Sequence, residues 1–243
     1  MILIFGSAGV LGKALVDEAM NLFSGPIILT ANSNFDDMSN LQKKHSDKLK
    51  IVRCDVANAQ DVKDVFSFLR TNNIVVEAII NNFAFTFSDE GNFNFSADSL
   101  EVRKVFDVNY FGLAYILEAS VLWAQDNGIS RLRVVNVLSN SLKTLNASNT
   151  HYIASKSAAE LISKSYAKRY GQFLSINCVA PGLMKSKLTE QRFDKNHQNI
   201  IGITPLGRLA TPIEIAEVSL YLASSCPVAV TGQTIYVDGG RTL

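Results

Sequence analysis

With 243 residues, 47% of them apolar, the chain is long enough to bury a sizeable core in one large α/β domain or two small ones. Its 23 basic and 22 acidic residues leave a formal charge of +1 scattered along the chain, which gives no electrostatic footing for nucleic acid or an anionic membrane surface. The three cysteines, Cys54, Cys178 and Cys226, stand far apart with no Cys-x-x-Cys, which excludes a disulfide framework and predicts buried reduced thiols in a cytoplasmic protein.

In chain order, "MILIF" at the start is too short and lacks the basic flank of a signal peptide, and reads as a first strand. A helix is expected over 11–23, then the strands "PIILTA" and "KIVRCDV", a helix over 59–72 and the strand "EAIINN". The next helix, 98–126, contains the apolar run "YFGLAYILEASVLW". That run is interrupted by Glu118 and falls short of the roughly 20 residues of a membrane span, so a soluble protein is expected. The strand "RLRVVNVLS", a helix over 152–170, the strand "FLSINCVAP", a helix over 212–224 and the strand "QTIYVDGG" complete the chain. In the helix over 152–170, Ile153, Ala154, Ala158, Leu161, Ile162 and Ala167 form the expected apolar stripe, with "SNT" before it as capping candidates.

Most of these strands are near-continuous apolar runs, as expected where helices cover both faces. Their alternation with helices predicts a Rossmann-type, doubly wound parallel α/β sheet of about seven strands with helices on both faces. No linker or internal repeat divides it, so residues 1–243 read as a single dinucleotide-binding and catalytic domain.

Between the first strand and the first helix lies "FGSAGVLGKAL", in which Gly6, Gly9 and Gly12 read G-x-x-G-x-x-G. Missing Cβ atoms there let the backbone approach a pyrophosphate, whose charge sits on free N–H groups at the helix N-terminus. Gly6, Ser7, Gly9, Leu11 and Gly12 are the candidates for that end of the cofactor. After the second strand, "ANSN" at 31–34 offers neither a carboxylate for an NAD ribose nor an arginine for a 2′-phosphate. Asn32 and Ser33 can donate to a phosphate that no acid repels, which tilts the expectation toward NADP over NAD; Asp36 and Asp37 come slightly later.

Past the middle of the chain, "THYIASKSA" sets Tyr152 and Lys156 four residues apart, on one face of a helix. A free tyrosine has a pKa near 10, so acid–base work near neutrality needs a shift of about 3 units, or ~4 kcal/mol. One ammonium at ~4 Å and an effective dielectric near 20 is worth about that much.

The glycine turn, Tyr152-x-x-x-Lys156 and a serine thirteen residues before the tyrosine (Ser139) together resemble the short-chain dehydrogenase/reductase family. Ordered matches extend the resemblance over the whole chain: "CDV" (Asp55, Val56), "INNFA" (Asn82, Ala84), "DVNYFG" (Asn109), "NCVAPGLMKS" (Pro181, Gly182, Met184, Ser186), "PLGRLATPIEIA" and "VTGQTIYVDGG". The resemblance implies an NAD(P)-dependent oxidoreductase acting on a carbonyl or secondary alcohol. Tyr152 would be its acid–base, Ser139 the hydroxyl holding the substrate oxygen, with Ser141 as its rival, and Lys156 would also bind the nicotinamide ribose. Asn109 would position a water linked to Lys156. Asp55 and Val56 would contact adenine, Asn82 and Ala84 would flank the cofactor, and the Pro181 to Ser186 turn would receive the nicotinamide. A homodimer or homotetramer is implied.

Val10, Phe83 with Ala84, and Ser186 stand where this family usually has glycine, Ala-Gly and threonine, and none of these changes removes a catalytic group. The glycine spacing resembles the extended, sugar-nucleotide-modifying branch, but the chain stops three residues after "VDGG". An NAD-retaining epimerase or dehydratase and a cofactor-binding sensor without turnover remain as alternatives. Lys185, Lys187, Arg192, Lys195 and His197 against Glu190 and Asp194 make the segment 184–203 mildly basic, which suits an anionic or polar, sugar-type substrate. His45, His151 and His197 do not cluster with acids or cysteines, so no metal is expected, and His151 is expected to be exposed.

Overall fold

The computed structural model describes residues 1–32, 35–87, 99–145, 150–186 and 189–243. Seven strands, β1 (Ile2–Phe5), β2 (Ile27–Ala31), β3 (Leu49–Arg53), β4 (Ala78–Asn81), β5 (Leu132–Val137), β6 (Leu174–Pro181) and β7 (Thr234–Val237), form one parallel sheet in the order β3-β2-β1-β4-β5-β6-β7. All seven were expected from their apolar runs. The period of two sends alternate side chains to opposite faces: Leu3 and Phe5 of β1 enter one core, Ile2 and Ile4 the other.

The first core is closed by α3 (Ala59–Thr71), α5 (Gly112–Asp126) and α7 (Thr150–Tyr170), the second by α1 (Val10–Leu22), α2 (Phe35–Lys44) and α9 (Pro212–Ser224). Local signals set several of these ends. Asn58 caps α3 by accepting from Gln60 N at 2.9 Å, and Thr211 with Glu214 closes a capping box on α9. The chain leaves β1 for β2 on one side and returns to β4 on the other, so a switch point opens at the C-terminal ends of β1 and β4.

Three helices escaped the periodicity reading. Among the described side chains of α2, Met38 is buried and Leu41 packs partly against the core, a stripe too short among polar neighbours to stand out. The other two are α6 (Ser141–Thr144), a single turn, and α8 (Glu190–Gly202), which is mostly polar. The expected helix over 98–126 is α4 (Leu100–Phe106), a π-helical turn (Asp107–Phe111) and α5, 27 continuous residues in all. By length and composition alone it could cross a membrane, but Val102, Val105, Leu113, Ile116, Leu117, Trp123 and Ala124 are buried in the fold, as in a core helix.

The expected stripe on α7 matches its buried face only in part: Ala167 is buried and Ile162 packs against the core. Leu161 is 67% exposed and Ala154 is exposed, whereas Ser155, Lys156, Ala159, Ser163 and Ala167 face inward. The inward residues are small or make specific hydrogen bonds, among them Asn136 Nδ2 to Ser163 Oγ at 2.8 Å, so polarity did not mark the surface. His151, expected to be exposed, is half-buried. The three cysteines are buried and free, and burial foremost pushes the thiols of Cys54 and Cys178 up to about 12. Ser33, Asn34, Ser148, Asn149 and Lys187 lie outside the described residues, as do the side chains of Asp36, Asp37, Arg192 and Lys195.

Candidate active site

The glycine turn is built against the end of β4. Gly6 has φ +76°, and a Cβ there would stand 2.1 Å from Asn82 O, so only glycine fits. Asn82 Nδ2 donates to Gly6 O at 2.9 Å, and Ser7 is tied to β2 by its Oγ donating to Thr30 O at 3.0 Å. A Cβ on Gly12 would press on Ser7 O at 2.5 Å, which explains the close approach of α1, while Leu11 is buried beneath it.

Gly9 is different. It is the N-cap of α1, makes no side-chain cap, and a Cβ on it would meet no protein atom within 4 Å. No acid lies in the first turn of α1. Uncapped N–H groups, a positive dipole end and open space above them fit the pyrophosphate of a dinucleotide.

Lys156 is 3% exposed, and its ammonium donates to Val137 O at 2.9 Å and Phe83 O at 3.3 Å. Both partners are backbone carbonyls, and among the described residues Lys156 has no ion pair. Burial therefore pulls its pKa from the usual 10.5 down to about 8. Lys156 thus lies buried next to the ends of β4 and β5, whereas its four-residue spacing from Tyr152 is equally compatible with a solvent-facing pair. Tyr152, one turn earlier on α7, is half-buried.

Asn109 lies in the π-helical turn and is buried. Its Oδ1 accepts from Phe85 N at 2.8 Å, while Nδ2 donates to Phe85 O at 2.9 Å and Ser155 Oγ at 3.0 Å. Ser155 Oγ in turn donates to Tyr152 O at 2.8 Å, so one hydrogen-bonded chain links the loop after β4 to the backbone of Tyr152. Both amide hydrogens of Asn109 are thus spent on protein. Beside Lys156 a cavity of about 10 Å³, close to the size of one water, is lined by Asn81, Phe83, Asn109 and Asn136 among others. Among the described residues the buried Oδ1 of Asn81 has no hydrogen-bond partner.

Ser139 follows β5 two residues after Val137 and is half-buried. Its Oγ accepts from Ser141 N at 3.2 Å and from Ser141 Oγ at 2.8 Å. Asn140 N donates to Pro181 O at 2.8 Å, and Asn140 Nδ2 to Asp238 Oδ2 at 3.1 Å. The Pro181–Gly182 turn is therefore stitched to this segment, and a Cβ on Gly182 would stand 3.1 Å from Asp238 Cβ. Downstream, Met184 O accepts from Thr189 Oγ1, which also lies 3.0 Å from Ser186 Oγ. The hydroxyl of Ser186, in the turn expected to receive the nicotinamide, is engaged by Thr189.

In the turn after β3, Asp55 Oδ1 accepts from Ala57 N at 3.0 Å, and Val56 packs against Gly112, where a Cβ would stand 2.9 Å from Val56 O. Ala84 is half-buried between Phe83 and Phe85, the residues that engage Lys156 and Asn109. Asn32 is exposed at the end of β2. The sheet register sets Ala31 beside Arg53, an exposed cation that a reading confined to residues 31–34 missed. Ser155, Phe85, Asn140 and Asp238 were also missed, because their parts depend on partners distant in sequence, as was Thr189, whose partners Met184 and Ser186 lie in a loop without periodicity. Among the described residues no group of three or more His, Cys, Asp or Glu gathers in metal-binding reach.

The geometry agrees with comparisons to known proteins. A family model described as enoyl-(acyl carrier protein) reductase matches residues 25–242. The chain is 31% identical to 3-oxoacyl-(acyl-carrier-protein) reductase FabG of Chlamydia pneumoniae, over 80% of this chain and 77% of that protein. It is 28% identical to nodulation protein G of Rhizobium sp. (strain N33), over 99% and 96%. The fold superposes with a TM-score of 0.89, at 18% identity and over 100% and 98% of the two chains, on 3-ketoacyl-(acyl-carrier-protein) reductase from Brucella melitensis complexed with NADH. Glycine turn, buried lysine and sheet order thus converge with full-length sequence matches: the chain belongs to the short-chain dehydrogenase/reductase family of NAD(P)-dependent oxidoreductases.

Proposed function

We propose that the protein interconverts a carbonyl and a secondary alcohol, with Tyr152 giving the proton to the carbonyl oxygen in reduction and taking it back in oxidation. The observation that carries this reading is Lys156: a buried ammonium held on two backbone carbonyls, with no carboxylate among the described residues to offset its desolvation, is costly to fold around. It repays that cost by acidifying a phenol one helical turn away. Ser139 holds and polarises the substrate oxygen. A bound nicotinamide supplies or accepts the hydride. Gly6, Ser7, Gly9, Leu11 and Gly12 hold its pyrophosphate, Asp55, Val56, Asn82 and Ala84 flank the adenosine half, and Pro181, Gly182, Met184 and Ser186 receive the nicotinamide.

NADP is the favoured cofactor. Asn32 offers donors, no acid stands at residues 31–32, and Arg53 next to Ala31 adds the cation that a 2′-phosphate needs. The favoured substrate class is a 3-oxoacyl thioester, from the names of the relatives at 26–31% identity over most of the chain. A polar sugar-type carbonyl is the second reading. It rested on a basic segment, and Lys185 is paired with Asp194 at 3.4 Å, which offsets part of that charge. Exposed Phe111, Leu122 and Leu161 on the outer faces of the π-helical turn, α5 and α7 favour a homodimer or homotetramer, and three free cysteines suit the cytoplasm.

The test is NADPH and NADH oxidation by the purified protein with an acetoacetyl thioester, a keto-sugar and a simple ketone. Turnover that falls at least a hundredfold in Tyr152→Phe supports the reading. Cofactor binding with no carbonyl reduced points to a sensor, and protein purified with NAD already bound points to an epimerase or dehydratase.

A further inference from the structure

The geometry points to Ser141 as a positioning residue that fixes the direction of the Ser139 hydroxyl. The inference rests on the role given to Ser139 above. A serine hydroxyl is both donor and acceptor, and a free one rotates among its partners. Ser139 is not free: its Oγ accepts from the backbone N–H of Ser141 at 3.2 Å and from the Ser141 hydroxyl at 2.8 Å. With both lone-pair directions taken, what Ser139 has left to offer is its own O–H. It therefore faces the site as a donor, the polarity needed against an oxygen that gains negative charge as hydride arrives. Accepting two hydrogen bonds also polarises that O–H and strengthens it as a donor.

The two serines are placed for these separate parts. Ser139 is half-buried, while Ser141, which donates to it, is buried. The segment between them cannot swing. Asn140 is tied through its N–H to Pro181 and through its amide to Asp238, and Leu142 N donates to Ser139 O at 3.3 Å. Ser141 thus does not compete with Ser139 for the substrate; it orients it.

The test uses the whole protein, NADPH, and whichever carbonyl of the panel above is reduced fastest. Ser141→Ala is expected to lower kcat about tenfold, the worth of one good hydrogen bond in the transition state, with KM and NADPH affinity within twofold of the parent. Ser141→Thr, which restores a hydroxyl, is expected to recover most of that loss. Ser139→Ala is expected to fall much further, and Ser139→Ala/Ser141→Ala no further than Ser139→Ala alone, because Ser141 acts only through Ser139. A thermal-unfolding cycle on the same variants reads the bond without turnover: the Tm losses are expected to be non-additive. Full kcat in Ser141→Ala, or additive losses in the double variant, would overturn the inference. If Ser139→Ala itself keeps its rate, the reading of Ser139 fails instead, and the two failures are distinguishable.

Discussion

Lys156 crosses from α7 to the end of β5, where its ammonium sits 2.9 Å from the carbonyl oxygen of Val137, two residues before Ser139. The same charge reaches Phe83 O after β4, so one cation joins the two strand ends that frame the site. This joint has a measurable signature in pH. In the folded chain Lys156 releases its proton at about 8, in the unfolded chain near 10.5. Between those values the unfolded state binds the extra proton, so stability rises with pH across the window; below about 8 the whole burial penalty is present. A difference of that size is worth on the order of 3 kcal/mol. Urea unfolding of the cofactor-free protein at pH 7 and pH 10 is expected to show the gain, with a smaller gain in Lys156→Met. The kcat/KM for carbonyl reduction is expected to fall as pH rises through about 8, as the ammonium is lost.

The glycines of the first turn should separate folding from binding. Gly6→Ala drives a Cβ into Asn82 O and strains a positive φ, so a loss of at least about 2 kcal/mol is expected in chemical denaturation. Gly9→Ala meets no protein atom and should cost about 1 kcal/mol or less as a poorer N-cap. Its dinucleotide affinity, read by fluorescence titration, is nonetheless expected to drop tenfold or more, because the methyl fills space over the α1 N-terminus.

Arg53 makes the cofactor preference testable by binding alone. Arg53→Ser is expected to weaken NADPH about tenfold while leaving NADH within twofold, the pattern for losing one phosphate contact. Equal weakening of both, or of neither, would remove Arg53 from the 2′-phosphate site.

Asn109 should prove structural in its side chain. Asn109→Leu strands the N–H and C=O of Phe85 and removes a partner of Ser155, with an expected cost of about 2–4 kcal/mol in thermal or chemical unfolding. Asn109→Asp keeps the acceptor for Phe85 N but loses both donors, so it is expected to recover only part of that loss.

How far the site could be read from the sequence varied by residue. Gly6 and Gly12 were legible because a turn that presses backbone on backbone admits no other residue. Lys156 was legible because spacing on a helix is local. Ser141 was noticed only as a rival to Ser139, because nothing in the string says which hydroxyl faces outward. The buried face of α7 was partly misread because Ser155, Lys156 and Ser163 face inward while Leu161 faces out, and polarity marks the surface only where no partner waits inside. Arg53 was missed because Ala31 and Arg53 are neighbours through strand pairing and not through the chain.

The sequence by itself determined the seven strands, five of the stretches of helix and the order of turn, phenol and lysine, since side-chain periodicity and glycine geometry are local properties of the chain. Only the tertiary structure decided where hydrogen bonds between distant segments go: Asn109 to Phe85, Asn140 to Asp238, Lys156 to Val137 and Phe83. Those bonds exist because packing two cores on one sheet brings the ends of β4, β5 and β6 together. Each buried polar group must then find a partner among whatever the fold has placed beside it.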